Sequence, residues 1–143
     1  MSVGAWATSA SQVLVSARAP GPVERLTEPL SFWGGFDPAD GRIIDRSHSE
    51  RGRSVADSIL VMSGSRGSAV TPGGVAEALH RCVSPAAILL PGPDVNLAVG
   101  ARVAAHLYGT RCRYWPWTPS LFNALRSGMT VDTDGARRIT AGD

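Results

Sequence analysis

The chain has 143 residues, of which 43% are hydrophobic and 18% are charged, so it is long enough for one domain with a sizeable core and too short for two. Its net charge of +2 excludes the strongly basic surface that non-specific nucleic-acid binding requires. All 14 lysine-or-arginine positions are arginine, which excludes a Schiff-base lysine or a P-loop lysine in this chain.

The cysteines and apolar runs indicate the compartment. Cys82 and Cys112 lie far apart without a CxxC pair, so two reduced thiols are expected rather than a disulfide. Two cysteines and three scattered histidines do not form a recognisable metal or iron–sulfur site. There is no pattern of a signal peptide, and no apolar run is long enough to span a bilayer. A cytoplasmic protein without a membrane partner is expected.

The N-terminal third is predicted to be mainly extended. Residues 1–10 are expected to form a flexible tail, followed by one domain over residues 11–143. Three extended segments bounded by proline and glycine turns are predicted; they are Gln12–Ala17, Val23 through Leu30, and Gly41–Asp45. The aromatic segment Phe32–Phe36 contains Trp33, Gly34 and Gly35. It is predicted to be either a pocket wall or docking surface, or core packing around a glycine turn.

The centre of the chain alternates strands with helices. Continuous apolar runs predict buried strands at Ser58–Met62 and Ala86–Leu90. The first helix is predicted from Thr71, acting as N-cap before Pro72, to about Arg81. These elements form a βαβ unit with parallel strands.

A second helix and a folded-back C-terminal segment are predicted to complete the domain. The helix is predicted from an Asp94 cap to Tyr108, with Gly109 as its stop. Because most of its circumference is apolar, we expect it to be largely buried. Three further elements are predicted; they are an extended segment at Arg113–Trp117, a short helix at Ser120–Ser127 that Gly128 stops, and a hairpin over Met129–Thr140.

The loop Ser63–Ser68 between the first buried strand and the first helix is the most informative local feature. Backbone N–H groups and the helix dipole attract anions at such a position, and Arg66 could clamp a carboxylate. Gly67 allows close approach of the backbone to a ligand. Ser65 or Ser68 could transfer a proton if the site stabilises an alkoxide. The alternative is an ordinary Ser/Gly turn with a solvated arginine.

His48 lies in the polar loop Asp45–Glu50. A histidine there could act as an acid or base. Solvation without a catalytic role is the alternative, and it is the more common state of a single loop histidine.

Several motifs occur in an order that is typical of one family. They are Pro29-Leu30-Ser31-Phe32-Trp33-Gly34-Gly35, Gly41-Arg42-Ile43-Ile44-Asp45-Arg46 with His48, Arg66-Gly67-Ser68, Pro93-Asp94 leading into Leu97-Ala98-Val99-Gly100-Ala101, and Gly128-Met129-Thr130-Val131-Asp132 with Asp134-Gly135. Together, from about Val13 to Thr140, they resemble the small subunit, or swivel domain, of the aconitase X family. The resemblance implies an α/β fold: a swivelling β/β/α domain with a central βαβ unit and an additional β layer.

The resemblance also implies a function. Members are hydro-lyases that act on cis-3-hydroxy-L-proline or, in archaea, on mevalonate 5-phosphate. The small subunit carries no cofactor itself and is completed by a large subunit with an iron–sulfur cluster. A small carboxylate substrate, cis-3-hydroxy-L-proline in the first place, is therefore expected. The alternatives are a related dehydratase acting on mevalonate 5-phosphate or a secondary metabolite, and a non-catalytic binding module.

Roles for individual residues follow from the same resemblance. It implies that Ser68 is the catalytic base and that Arg66 binds the substrate carboxylate, with Gly67 and Ser65 beside them in the substrate-binding loop. Family members commonly have glycine in place of Ser65 and a hydroxyl residue in place of Ala69, so whether Ser65 or Ser68 acts stays open. The remaining candidates for a pocket or subunit interface are Phe32, Trp33, Gly34, Gly35 and His48. Without its partner, the chain is expected to form homo-oligomers.

Overall fold

One mixed sheet of seven strands forms the centre of the protein. The computed structural model describes residues 2–7, 21–67, 70–90, 94–109, 113–116, 125–134 and 138–142. The strands are β1 (Ser2–Ala7), β2 (Gly21–Arg25), β3 (Leu30–Ser31), β4 (Ile59–Val61), β5 (Ser65–Arg66), β6 (Ala87–Leu90), β7 (Arg113–Pro116), β8 (Thr130–Asp134) and β9 (Arg138–Gly142). The sheet order is β1-β9-β8-β2-β4-β6-β7, and β3 and β5 pair separately.

The strands β2, β4, β6 and β7 are parallel, and the remaining three extend the sheet by antiparallel pairing. Ile59, Leu60 and Val61 of β4 are all fully buried, although successive side chains of a strand point to opposite faces. Both faces of this strand are therefore covered, as the continuous apolar run predicts. The mixed α/β class is confirmed.

Helices α1 (Thr71–His80) and α2 (Val95–Tyr108) connect β4 to β6 and β6 to β7. They pack closely because Gly100 of α2 faces α1: a Cβ at this position would lie 2.8 Å from the Pro72 carbonyl oxygen and 2.7 Å from the Cβ of Val75. Leu97 and Ala101 of α2 enter the core on the same side. The predicted strand–helix–strand–helix order is confirmed.

Two of the three predicted helix boundaries that depend on a cap are confirmed. The Asp94 side chain accepts a hydrogen bond from the Leu97 N–H at 3.1 Å, and Gly109 ends α2 with a φ of 67°. The prediction for Thr71 is wrong: Val70 is the N-cap and makes no side-chain cap bond, while Thr71 is the first helical residue. Thr71 is fully buried beside Gly67, so its side chain packs inside instead of capping the helix.

The expectation that α2 is largely buried is also wrong. Only one side of this helix contacts the core. The residues on that side include the small residues Ala101 and Ala104. On the opposite side, four apolar residues at a spacing of four are exposed; they are Val95, Val99, Val103 and Leu107. This set is called the α2 stripe below.

The N-terminal expectations differ from the structure in two places. Residues 2–7, expected within a flexible tail, form β1 because they pair antiparallel with β9 at the sheet edge. The segment Gly41–Asp45, expected to be a strand, makes only isolated bridges, Phe36 to Ile43 and Arg42 to Ser54. The extended segment from Val23 is divided between β2 and β3 by a bend.

The other predicted elements are confirmed in part. β7 falls within the extended segment predicted at residues 113–117, and β8 with β9 forms the predicted hairpin, with Asp134 opposite Arg138. The strand predicted over residues 12–17 lies outside the described residues, as does the helix predicted over residues 120–127 as far as residue 124. Its last three residues, 125–127, are described and are not helical, so the predicted helix end is wrong.

Candidate active site

The residues Ser63 to Gly67, here called the arginine loop, follow β4 at its carboxyl end. The connection after β6, which contains Asp94, leaves the same edge of the sheet because β4 and β6 are parallel neighbours. Ligands of open α/β sheets commonly bind at this edge. The loop is attached on its other side by the parallel pairing of Ser65 with Leu30 and of Arg66 with Ser31.

Arg66 is the cation of this region. Its side chain is about half exposed, at 48%, and its guanidinium lies 3.8 Å from Glu28 Oε1 and 3.9 Å from Asp45 Oδ2. Both distances exceed that of a hydrogen bond, so these contacts of the guanidinium with the two carboxylates are electrostatic. The site therefore presents one exposed arginine between two carboxylates.

The two carboxylates are held ionised by neighbouring serines. Hydrogen bonds from the hydroxyl and then the backbone N–H of Ser49 lower the pKa of Glu28, and the charge of Arg66 adds to them. The hydroxyl and the N–H of Ser47 lower the pKa of Asp45 in the same way, again with Arg66 contributing. The carboxylates of Glu28 and Asp45, one on each side of Arg66, are therefore charged at neutral pH.

His48 is buried, in contrast to the solvated loop histidine that is the common case. Its Nδ1 accepts a hydrogen bond from the Glu50 N–H at 3.1 Å, and its Nε2 lies 3.3 Å from the Glu28 carbonyl oxygen. This pattern fits the neutral tautomer with its proton on Nε2. With both ring nitrogens engaged by backbone, His48 supports the Glu28 segment, and the acid–base role stays untested.

Further hydrogen bonds join the segment Leu26–Glu28 to the loop that carries His48. The N–H of Thr27 donates to Glu50 Oε1 at 2.6 Å, and the Ser49 N–H donates to Glu28 Oε2 at 2.6 Å. This set of contacts is called the His48 bracket below. It brings Glu28 and Asp45, which are distant in sequence, to the guanidinium of Arg66.

Ser65 makes the side-chain contact on the opposite side of the arginine loop. Its hydroxyl donates a hydrogen bond to Asp94 Oδ2, while the other oxygen of this carboxylate accepts from the Leu97 N–H. A residue on the loop after β4 is therefore joined to the N-cap of α2.

Gly67 is closely packed against the start of α1. A Cβ at this position would collide with Thr71 Oγ1, so a larger residue requires a shift of the Thr71 side chain, the loop or the helix. The predicted catalytic residue, Ser68, lies outside the described residues, and its role stays a prediction.

The aromatic segment is divided between core and surface. Phe32 and Phe36 are buried, with ring centroids 5.3 Å apart, whereas Trp33 is 60% exposed. The backbone turns at Gly34, whose φ is 88°, and the Ser31 hydroxyl bonds both the N–H and the carbonyl of Trp33. Phe32 and Phe36 are thus packed in the core, whereas a pocket or docking role for the exposed Trp33 stays a prediction.

Gly35 and Gly34 differ in their surroundings. A Cβ on Gly35 would lie 2.8 Å from the Ser31 carbonyl oxygen, whereas one on Gly34 would meet nothing within 4 Å. Gly34 is required for its backbone conformation, and Gly35 for close packing of the turn.

Among the described residues, no group of three or more histidine, cysteine, aspartate or glutamate side chains is arranged to hold a metal ion. Cys82 is an exposed thiol, and Cys112 lies outside the described residues. The donor set that the structure describes does not fit an iron–sulfur cluster. In the same part of the chain, no helix has the length and apolar character needed to cross a membrane.

Ser65, Arg66 and Gly67 are adjacent in sequence, and their roles stay a prediction. Two residues beside Arg66 in the structure are not predicted from the sequence. Glu28 and Asp45 lie in irregular loops, where no periodicity predicts which way a side chain points. Asp94 was identified only as a helix cap. Its position after a strand parallel to β4 is the signal that could have placed it at the arginine loop.

Comparisons with known proteins agree with this fold and loop arrangement. The chain matches the aconitase X swivel domain family over residues 8–141. The crystal structure of Thermococcus kodakaraensis aconitase X in its holo-form superimposes with a TM-score of 0.78 and 26% identity, over 92% of this chain and 95% of that chain.

Two curated relatives are dehydratases. A cis-3-hydroxy-L-proline dehydratase from Pseudomonas aeruginosa is 41% identical over 98 residues, a match that spans 68% of this chain and 17% of that protein's length. A phosphomevalonate dehydratase small subunit from Methanothermobacter thermautotrophicus is 38% identical over 123 residues, covering 86% of this chain and 90% of that protein. The family resemblance inferred from the motifs is confirmed: the chain belongs to the aconitase X swivel-domain family.

Proposed function

We propose that this chain is the small subunit of an aconitase X-type hydro-lyase that dehydrates cis-3-hydroxy-L-proline. The observation that carries the proposal is the half-exposed Arg66 at the carboxyl edge of the sheet, set between the ionised Glu28 and Asp45. Relatives that are dehydratases or dehydratase small subunits support the reaction class. The cytoplasm is the proposed compartment.

In the proposed reaction, Arg66 binds the carboxylate of the substrate. Its planar guanidinium can donate two parallel N–H groups to the two oxygens, which fixes the orientation of the neighbouring carbon. Ser68, as an alkoxide stabilised by backbone N–H groups, takes the proton from the carbon that bears the carboxylate. The electron pair of the broken C–H bond forms a double bond to the adjacent carbon, and the hydroxyl leaves that carbon with the C–O electron pair. The leaving oxygen takes up a proton, so that the proton removed by Ser68 is balanced and water departs.

The charges around Arg66 favour an amino-acid substrate. A cyclic amino acid such as hydroxyproline carries a carboxylate and a protonated ring nitrogen, which match one arginine and two flanking carboxylates. The charged groups of a phosphorylated hydroxy acid are all negative, and Glu28 and Asp45 would repel them. This difference supports cis-3-hydroxy-L-proline over mevalonate 5-phosphate.

The runner-up substrate, mevalonate 5-phosphate, is supported by the extent of the match to a relative. The phosphomevalonate dehydratase small subunit is matched over 90% of its length, whereas the match to the hydroxyproline enzyme spans 17% of that protein. A direct assay of both substrates decides between the two.

We propose an aconitase X-type large subunit as the partner, in a heterodimer or larger complex, because this chain supplies a substrate-binding loop without a described metal site. The iron–sulfur cluster of the complex is assigned to that large subunit. The proposal also assigns the exposed Trp33 to the pocket rim or the subunit contact, because it lies two residues after Ser31, which pairs with Arg66.

The test is to express this chain together with a large subunit of the aconitase X type and to assay the purified pair with both substrates. We expect turnover of cis-3-hydroxy-L-proline. Ser68→Ala is expected to lower kcat by about three to four orders of magnitude while the two chains still co-purify. Turnover of mevalonate 5-phosphate alone would overturn the substrate assignment, and unchanged activity of Ser68→Ala would overturn the role of Ser68.

Arg66→Gln is expected to raise KM and to lower kcat/KM by about 10- to 100-fold, since hydrogen bonds to charged groups contribute roughly 1.5–3 kcal/mol. Arg42→Gln is the matched control, because Arg42 is an exposed arginine paired with a single carboxylate, that of Asp40. Equal effects of the two changes would contradict carboxylate binding by Arg66. A pair that assembles but turns over neither substrate would favour the alternative of a non-catalytic binding module.

A further inference from the structure

A side-chain contact joins the arginine loop to the connection that follows β6. The Ser65 hydroxyl donates to Asp94 Oδ2, and Asp94 Oδ1 accepts from the Leu97 N–H at 3.1 Å. All three residues are at least partly buried, so water competes less for these bonds than it does at the surface. One carboxylate thus caps α2 and holds the loop that follows β4.

The contact of Ser65 with Asp94 attaches the arginine loop more firmly than its other interactions do. The backbone of Ser65 and Arg66 pairs with β3 over only two residues, which is a short attachment. The contacts of Arg66 with Glu28 and Asp45 are longer than hydrogen bonds and act on the end of a long side chain. Ser65 directly precedes Arg66 and has a short side chain. Its hydrogen bond to Asp94 therefore acts close to the backbone of the loop.

We propose that Asp94 is a positioning residue that holds the arginine loop through Ser65, and that Ser65 is a tether and not the base of the reaction. The cap of α2 supplies the rigidity, because Asp94 is fixed at the first turn of a 14-residue helix. The effect of this tether on turnover rests on the proposed function, whereas its effect on the order of the loop can be measured on this chain alone.

Two substitutions at Asp94 separate the tether from the cap. Asp94→Ser keeps a good N-cap for the Leu97 N–H, but its single, shorter side-chain oxygen does not reach Ser65. Asp94→Asn keeps both contacts: the amide oxygen caps α2 and the amide N–H donates to the Ser65 oxygen. The two variants remove the same charge, so they differ in the tether alone. Ser65→Ala removes the tether from the other side.

Amide hydrogen exchange of the full chain, followed by mass spectrometry, tests the tether without any partner or substrate. Exchange in the peptide over residues 63–67 is expected to be about 5- to 10-fold faster in Asp94→Ser and Ser65→Ala, as loss of one buried hydrogen bond implies. Asp94→Asn is expected to stay close to the unmodified chain. Exchange in the first turn of α2 is the internal control and should not change in Asp94→Ser. Unchanged exchange of the loop in Asp94→Ser would overturn the proposal.

Kinetics of the assembled pair provide the second measurement. Asp94→Ser and Ser65→Ala should each lower kcat/KM by about 10- to 100-fold, as a small misplacement of a binding group does, and the double variant should be no worse than either. Asp94→Asn should restore most of the loss. A fall of three or more orders of magnitude in Ser65→Ala alone would overturn the tether and make Ser65 the base. If the unmodified pair turns over no substrate, the proposed function fails, and the exchange measurement still decides the tether.

Discussion

At the scale of single residues, several glycines mark places where two backbones approach closely. A Cβ on Gly74 would lie 2.1 Å from the carbonyl oxygen of Phe32, so α1 packs directly on the backbone of the aromatic segment. Its neighbour Gly73 faces open space, with nothing within 4 Å of its virtual Cβ. The close approach of two backbones therefore requires glycine at position 74 but not at position 73.

Alanine substitutions of this pair are predicted to have opposite effects on stability. Gly73→Ala should raise the free energy of unfolding by up to ~1 kcal/mol, because alanine is the better helix former and nothing obstructs its methyl group. Gly74→Ala should lower it by about 1–3 kcal/mol or more, because the obstructing atom is backbone and cannot rotate away. Urea unfolding of the isolated chain measures both, each variant serving as the control for the other. Equal effects would contradict the close approach of α1 to Phe32.

At the scale of elements, the His48 bracket shows how loops without regular structure become ordered. His48 is buried and bonded to backbone at both nitrogens, and the Thr27 N–H donates to Glu50. The hydrogen bonds of the bracket join the two loops without the regular backbone pairing of a sheet. Its function is to set the position of the two carboxylates that flank Arg66.

The stability of the bracket is predicted to fall in acid. Serine hydrogen bonds lower the pKa of Glu28 below 4.5 and that of Asp45 below 3.8 in the folded chain. A lowered pKa stabilises the folded state at pH values above the unfolded pKa, and this stabilisation is lost as the pH falls through the folded pKa. The free energy of unfolding should therefore decrease as the pH falls below about 4.5.

A serine double variant tests this assignment. Ser47→Ala with Ser49→Ala removes the hydroxyl contributions, so the folded pKa values move towards the unfolded ones and the loss of stability in acid becomes shallower. Urea unfolding between pH 7 and pH 3 gives the slope. Ser54→Ala is the control, since the Ser54 hydroxyl bonds the Ala56 N–H and not a carboxylate. A double variant with the slope of the unmodified chain would refute the serine contribution.

At the scale of the whole molecule, the α2 stripe is the largest departure from what the sequence predicts. Four apolar side chains lie exposed along one helix, with Val95 73% and Leu107 62% accessible. Soluble monomers rarely expose a continuous apolar surface of this kind. An apolar helix that the sequence pattern predicts to be buried is thus only half covered within its own chain.

The isolated chain is predicted to self-associate through this surface. Sedimentation velocity should show dimers or larger species at micromolar concentration, and Val99→Glu with Val103→Glu should shift the chain to monomer without lowering its unfolding midpoint. Ala39→Glu, at an exposed turn residue, adds a like charge elsewhere and should leave association unchanged. A purely monomeric unmodified chain would rule out this expectation.

The sequence alone determined the elements whose signals are local. The apolar runs of β4 and β6, the cap at Asp94, the stop at Gly109 and the β8–β9 hairpin were all predictable, because each depends on residues a few positions apart. The arginine loop could be identified in the same way, since its glycine, serine and arginine are adjacent.

Only the tertiary structure decided what surrounds that loop. Glu28 and Asp94 meet Arg66 and Ser65 because the parallel strands β2, β4 and β6 bring their carboxyl ends to one edge. Asp45 reaches Arg66 from the irregular loop between β3 and β4. The pairing of β1 with β9 and the exposure of the α2 stripe depend likewise on long-range packing. Local patterns specify a helix and its apolar residues, but which face is covered depends on how much of the chain folds over it.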